Sequence, residues 1–266
     1  MKTPDKILAV LLLSALASSC SIKEDRSLCP ACLKVVMTPA SVRLAGNGTC
    51  RVHVDDRLQA AEADMDSSKP WAEFEVAKDS VRLCSWLEAP AGYPASTQYV
   101  IGEGRQCDSL WAFAHAFLAS AEEVSDSVSL HKRFLTLTVR YSAKEAEGGA
   151  PYDMKVVSAT AGTDLKTLGA IRGHFSCDLD FGDGDLAAVR LPWQGDPSSL
   201  RLMILEKGSG ETVDVFPLGD ELTHGLGYDW NAADLADVTL SMDFTRLEYS
   251  VGVSPWDEGG NDDKIL

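Results

Sequence analysis

The sequence predicts an all-β protein: two β-sandwiches in tandem behind a cleaved export signal. Three observations predict it. Apolar and polar residues alternate with a period of two in many short runs, Gly, Pro, Asn and Asp separate the runs, and one charged stretch closed by Pro151 divides them into two blocks of similar length. The 266 residues are 45% hydrophobic and 24% charged, which excludes a disordered, collagen-like or wholly membrane-embedded chain. The formal charge of −16 sets most of the surface field against phosphate-rich ligands, so nucleic acid is not an expected partner.

The first element is the signal. Lys2 and Lys6 precede an apolar run over residues 7–16, far shorter than the roughly 20 helical residues a bilayer core requires. Ala17-Ser18-Ser19-Cys20 follows and resembles the lipobox at which bacterial lipoproteins are acylated and cleaved, although Ala17 and Ser19 make it a loose form. On this reading residues 1–19 are removed, Cys20 carries the lipid, and the remaining chain has a formal charge near −17. Ordinary signal-peptidase cleavage beside an incidental thiol is the other reading of the same residues. Each buried methylene contributes about 0.8 kcal/mol, so several acyl chains would hold where one would not. Residues 20–28 then form a polar tether, and its acidic Glu24-Asp25 resembles the export tag of surface lipoproteins in Bacteroides-like bacteria. A merely solvated spacer reads the same way.

The strands come next. In the first block, residues 51–54, 71–76 and 81–87 are short candidates, and Leu135, Leu137, Val139 and Tyr141 alternate cleanly with polar neighbours. Residues 111–121 have the composition of a helix, and residues 229–237 could form a helical turn or two. In the second block, residues 154–159, 200–206 and 212–216 are candidates, then Val238, Leu240, Met242 and Phe244, with Val251 and Val253 behind Tyr249. These patterns place an N-terminal sandwich at 29–142, a linker at 143–152, a C-terminal sandwich at 153–256 and an acidic tail at 257–266.

Chemistry-bearing motifs are few. Apart from Cys20 the cysteines are Cys29, Cys32, Cys50, Cys84, Cys107 and Cys177, an even number that permits disulfides in any of the pairings six cysteines allow. Cys29-Pro30-Ala31-Cys32 has redox spacing, but no second CxxC or paired histidines complete a zinc site, and buried or bridged structural cysteines are the expectation. His53, His115, His131, His174 and His224 are dispersed, and no HExxH, GxSxG, P-loop or strand-following GxGxxG occurs. The metal candidate is Asp178, Asp180, Asp183 and Asp185, four carboxylates among glycines. Gly182 and the missing closing glutamate break the EF-hand pattern, and an Asp/Gly-rich turn is the expectation. No cofactor is implied.

Several segments together carry a resemblance. Cys20 to Pro30, Gln98-Tyr99-Val100-Ile101-Gly102-Glu103-Gly104 with Asp108-Ser109-Leu110, and Leu130-His131-Lys132-Arg133-Phe134 are similar to FimB/Mfa-type anchor subunits of fimbriae in Bacteroides-like bacteria. So are Leu191-Pro192-Trp193-Gln194, Phe216-Pro217-Leu218-Gly219, Gly227-Tyr228-Asp229-Trp230 and Ser254-Pro255-Trp256. The matches run in order along nearly the whole chain behind the signal. Trp193 departs from the basic residue common in the family, and residues 111–121 vary freely.

The resemblance implies transthyretin-like sandwiches, a lipid on Cys20 holding the protein to the outer membrane, and a non-enzymatic role as anchor or accessory subunit whose partners are fimbrial stalk subunits. It also implies a mode of assembly. An incoming extended strand satisfies the unpaired backbone groups of a sheet edge and buries alternate side chains. In the stalk subunits, proteolysis after a basic residue opens such a groove. Here a cut after Arg26 or Arg43 would release the body from Cys20, so neither is expected to be processed. The final strand region, 238–253, is the expected contact edge. A surface glycan-binding lipoprotein is the alternative, with Trp71, Trp86, Trp111, Trp193 or Trp230 as platforms; an exported hydrolase is a weaker rival.

Overall fold

Strict alternation of burial runs through the first strand: Ala31, Leu33, Val35 and Met37 point inward while Cys32 and Lys34 face solvent. The computed structural model describes residues 29–87, 97–142, 152–182, 184–244 and 248–255. The signal, Cys20 with its tether, linker residues 143–151, Asp183 and the tail 257–266 lie outside these residues.

The first part of the chain forms β1 (Ala31–Met37), β2 (Cys50–Asp55), β3 (Ala60–Met65), β4 (Trp71–Val76), β5 (Ser80–Leu87), β6 (Gln98–Val100), β7 (Trp111–Leu118), β8 (Glu123–Val128), β9 (His131–Lys132) and β10 (Phe134–Ser142). The rest forms β11 (Tyr152–Asp164), β12 (Gly169–Asp178), β13 (Leu186–Pro192), β14 (Arg201–Glu206), β15 (Thr212–Phe216), β16 (Asp237–Asp243) and β17 (Glu248–Ser254). The all-β expectation holds. Four sheets result, with strand orders β4-β1-β8 and β3-β2-β5-β7-β9 in the first part, and β13-β10-β16-β17 and β12-β11-β14-β15 in the second.

Three readings of the sequence need correction. Residues 111–118 are strand β7, antiparallel to β5. The alanines suggested a helix, but Trp111, Phe113 and Phe117 alternate at the strand period, and aromatic residues favour a pleated, half-buried surface. Residues 229–237 contain turns and no helix; helix α1 (Pro39–Ala45) stands elsewhere, capped by Thr38 Oγ1 accepting from Ser41 N and opened by Pro39.

The third correction concerns the border. β10 pairs with β13 on one side and β16 on the other, so its hydrogen bonds tie it to strands beyond the expected linker rather than to residues 29–130. β6 does the same, pairing with β11 through Gly162↔Val100, Thr163↔Tyr99 and Asp164↔Gln98. The chain therefore crosses to the second sheet pair at β6, returns for β7 to β9 and crosses again at β10.

The crossing is densely bonded. Ile101 N donates to Ala161 O at 2.9 Å, Leu165 N to Thr97 O at 2.8 Å and Cys107 N to Arg190 O at 2.9 Å. Arg190 Nε returns a bond to Cys107 O at 2.9 Å. Tyr99 Oη accepts from Asp108 N at 2.8 Å and donates to Asp108 Oδ2 at 3.1 Å. From the hairpin tip after β11, Lys166 Nζ reaches Asp55 Oδ2 on β2 at 2.6 Å. Lys132 is almost wholly buried and places Nζ 2.7 Å from Asp237 Oδ1, which also accepts from Thr136 N at 2.6 Å. A buried ammonium needs such a partner. Asp234 fixes the neighbouring turn, accepting from Lys132 N at 2.7 Å and bonding His131 Nδ1 at 3.1 Å.

Candidate subunit interface

Edge strands differ sharply in what they present. β3 shows Glu62 and Asp64, β4 shows Glu73 and Glu75, β8 shows Glu123, and β12 shows Arg172 and His174; β13 is partly covered where Arg190 meets Gln106 and Cys107. Charge of this kind discourages pairing with another chain. β15 and β17 carry charge as well, at Asp214 and Glu248, but beside it they present exposed apolar side chains. Val213 and Val215 on β15 and Tyr249 and Val253 on β17 are all at least 38% exposed.

Register explains the exposure on β17. Its residues Tyr249, Val251 and Val253 stand opposite Met242, Leu240 and Val238 of β16. Directly paired residues share a face, and those three β16 residues are buried. The apolar side of β17 therefore faces the core side of its sheet, where Val251 packs half-buried against the core while Tyr249 and Val253 stay exposed. β15 borders the same flank from the other sheet, because the Phe216 and Tyr249 rings meet edge-on at 4.8 Å.

On the outward face of β15, Val215 stands beside Met203 of β14. Exposed apolar side chains at alternate positions and edge backbone groups with no strand partner among the described residues are what an added strand would occupy.

The flank is held from behind. After β15 a helical segment runs from Leu218 to Gly225, with Leu218 and Leu222 fully buried. Gly219 N donates to Leu200 O at 2.9 Å, and a Cβ there would lie 1.7 Å from Pro197 O, so only glycine fits. Trp230 Nε1 donates to Thr223 Oγ1 at 3.0 Å, Tyr228 Oη donates to Ala236 O at 2.7 Å, and Trp193 Nε1 donates to Trp230 O. At the flank itself Tyr249 Oη donates to Glu221 Oε1 at 3.2 Å, and that carboxylate holds the exposed phenol above its ordinary pKa.

The other expected site residues are scattered. Asp178 Oδ1 stands 3.4 Å from Lys155 Nζ, Asp180 Oδ1 accepts from Gly182 N at 2.9 Å, Asp185 is exposed, and Asp183 lies outside the described residues. Among the described residues no three His, Cys, Asp or Glu side chains are grouped to hold a metal ion. Trp86, Trp111 and Trp230 are buried and Trp193 is half-buried, which leaves Trp71 as the exposed aromatic of that set, with the Lys34 and Lys69 ammoniums 5.4 and 5.2 Å from its ring centre. Cys50, Cys84, Cys107 and Cys177 are buried free thiols, whereas Cys29 and Cys32 are exposed. Desolvation pushes the thiol of Cys50 up to about 11 and those of Cys84 and Cys107 up to about 12. Arg43 sits exposed in the last turn of α1. Sequence reasoning found β17 through its alternating valines but not the open flank, which depends on what β15 and β17 lack beside them.

No family model matches the sequence, and no curated protein does. Solved structures do match. A candidate polysaccharide-binding protein from Bacteroides thetaiotaomicron superposes with a TM-score of 0.57 at 12% identity, covering 86% of this chain and 100% of its own. A candidate adhesin from the same organism gives 0.54 at 11% identity, covering 86% and 97%. The fimbrial anchor protein Mfa2 from Porphyromonas gingivalis gives 0.52 at 13% identity, covering 86% and 98%. The chain thus shares its fold with these three structures, the fimbrial anchor protein Mfa2 among them.

Proposed function

We propose that this protein is a non-enzymatic outer-membrane lipoprotein, held by acyl chains on Cys20, that serves as anchor or accessory subunit of a fimbrium and contacts other subunits by strand addition. The observation that carries the reading is the β15/β17 flank, where exposed apolar residues lie along two edges that have no partner strand among the described residues. Backbone hydrogen bonds along such an edge give lasting association without any chemistry, and side chains at alternate positions give selectivity. The shared fold with a fimbrial anchor protein supports the same role. The test is where filaments go when the lipid site is removed. Cells carrying Cys20→Ala should shed filaments bearing this protein into the medium; filaments retained on the cells at the wild-type level would overturn the anchor role.

One observation favours glycan binding as a second reading: Trp71 stands exposed on the outer face of the β4-β1-β8 sheet. The two ammoniums beside its ring compete with a sugar for that platform. A glycan array with Trp71→Ala as control separates the readings, because only a glycan receptor would show a signal that depends on this ring.

A further inference from the structure

The strand ends nearest the start of the described chain form one rim. Ala31 pairs with Val76 at the end of β4, and Cys32 lies beside Glu123 at the start of β8. On the other sheet, Asp55 closes β2 opposite Ala60 and Arg82, and Ser80 opens β5 opposite Leu118. The two sheets are stitched together there. Asp56 accepts from Leu58 N, Gln59 N and, from across the sandwich, Ala77 N; Gln59 Nε2 donates to Glu75 O at 2.9 Å; and Ala119 N donates to Asp79 O at 2.9 Å.

On this rim Leu58 and Leu118 are the two most exposed large apolar residues described, each 67% accessible. Leu58 lies in the β2–β3 turn, and Leu118 ends β7, whose strand is two spacings from β2, about 10 Å. Arg57 beside them is exposed and stands 3.7 Å from Asp79. Acidic groups lie on both sheets: Asp55, Asp56 and Asp79 belong to this side of the rim, and on the other side Glu75, Glu122 and Glu123 line a shallow hollow with Cys29, Cys32 and Lys78.

We infer that the Leu58/Leu118 side of this rim rests on the lipid surface that holds the protein. The inference rests on the proposed lipid at Cys20. Nine residues, 20–28, separate that cysteine from the first described residue, and a chain of that length spans no more than about 30 Å. A domain of about 100 residues has a radius of gyration near 13 Å, so a folded partner does not fit comfortably between rim and lipid. The lipid itself is what the rim meets. Two leucines would not bind a free protein to a membrane, but tethering raises the effective concentration of the contact to roughly millimolar.

The test places the photo-crosslinker p-benzoylphenylalanine at Leu58, Leu118 or, as the distant control, exposed Val213. Each full-length lipidated protein is reconstituted into phosphatidylethanolamine/phosphatidylcholine vesicles, floated on a gradient and irradiated, and lipid adducts are counted by mass spectrometry. Adduct yields at 58 and 118 should exceed that at 213 several-fold, because only a surface resting on the bilayer keeps the probe within reach of the lipid. Equal yields at the three positions, or none at 58 and 118 in protein that floats with the vesicles, would overturn the contact and leave the anchor standing. Protein that fails to float overturns the anchor, and the contact with it.

Discussion

Replacing Gly162 with alanine should detach the strand that staples the two halves of the chain together. A Cβ at this position would lie 2.0 Å from Tyr99 O and 3.0 Å from both Tyr99 C and Val100 Cα, all backbone atoms that no rotamer change can move. β6 must therefore lift. Its release loses the three-residue ladder with β11 and the Ile101–Ala161 bond, at about 0.5–1.5 kcal/mol per hydrogen bond, and partly uncovers Tyr99, now 8% exposed. Alanine narrows the unfolded ensemble and returns about 0.4–1 kcal/mol. The expected net loss is about 1–3 kcal/mol, in the range of overpacked cores. Urea unfolding followed by tryptophan fluorescence gives the midpoint, and hydrogen exchange gives the local readout at the Ile101 and Leu165 amides. The control is Gly252→Ala, where the nearest atom to a Cβ is Thr239 O at 4.0 Å; it should stay within about 0.5 kcal/mol of the parent. A Gly162→Ala protein as stable as that control, with Ile101 still protected, would refute the reasoning.

Val215→Lys combined with Val253→Lys places charge on both open edges, and capture of fimbrial subunits in a pull-down should fall by about tenfold while the urea midpoint barely moves; undiminished capture would exclude this flank. The hydrogen bond from Lys166 holds the Asp55 carboxyl below its ordinary pKa. A depressed folded value means stability present above the unfolded pKa of about 3.9 and lost as pH falls through the folded one. Urea midpoints at pH 6 and pH 3 should therefore differ less in Asp55→Asn than in the parent, by under about 1 kcal/mol for so accessible a pair. At pH 8 iodoacetamide should label Cys29 and Cys32 rapidly and the four buried thiols only as the protein unfolds, read by peptide mapping. Because burial raises the Cys107 pKa from 9.0 to about 12, its contribution is complete below pH 9 and declines between those values. Thermal midpoints in Cys107→Ala, compared with the parent over that window, should therefore fall less steeply with pH.

Local pattern and tertiary arrangement divide this protein unevenly. The alternation at Leu135, Leu137 and Val139, and again at Val238, Leu240 and Met242, specifies strands with one buried face, because side chains along a strand point to opposite sides in turn. The start of α1 is legible in Thr38-Pro39, a hydroxyl cap followed by a proline suited to a first helical turn. Residues 111–118 show where composition misleads: the alanines speak for a helix, while the aromatic spacing and the neighbouring β5 decide for a strand. At the proposed interface, the sequence alone determined that Tyr249, Val251 and Val253 share a face. Only the tertiary structure decided that Tyr249 and Val253 stay exposed there, that β10 pairs across the expected border, and that Gly162 must admit the backbone at Tyr99. The period of a strand reports whether one of its faces is buried, but the identity of its neighbour is fixed by contacts distant in sequence, which no local pattern encodes.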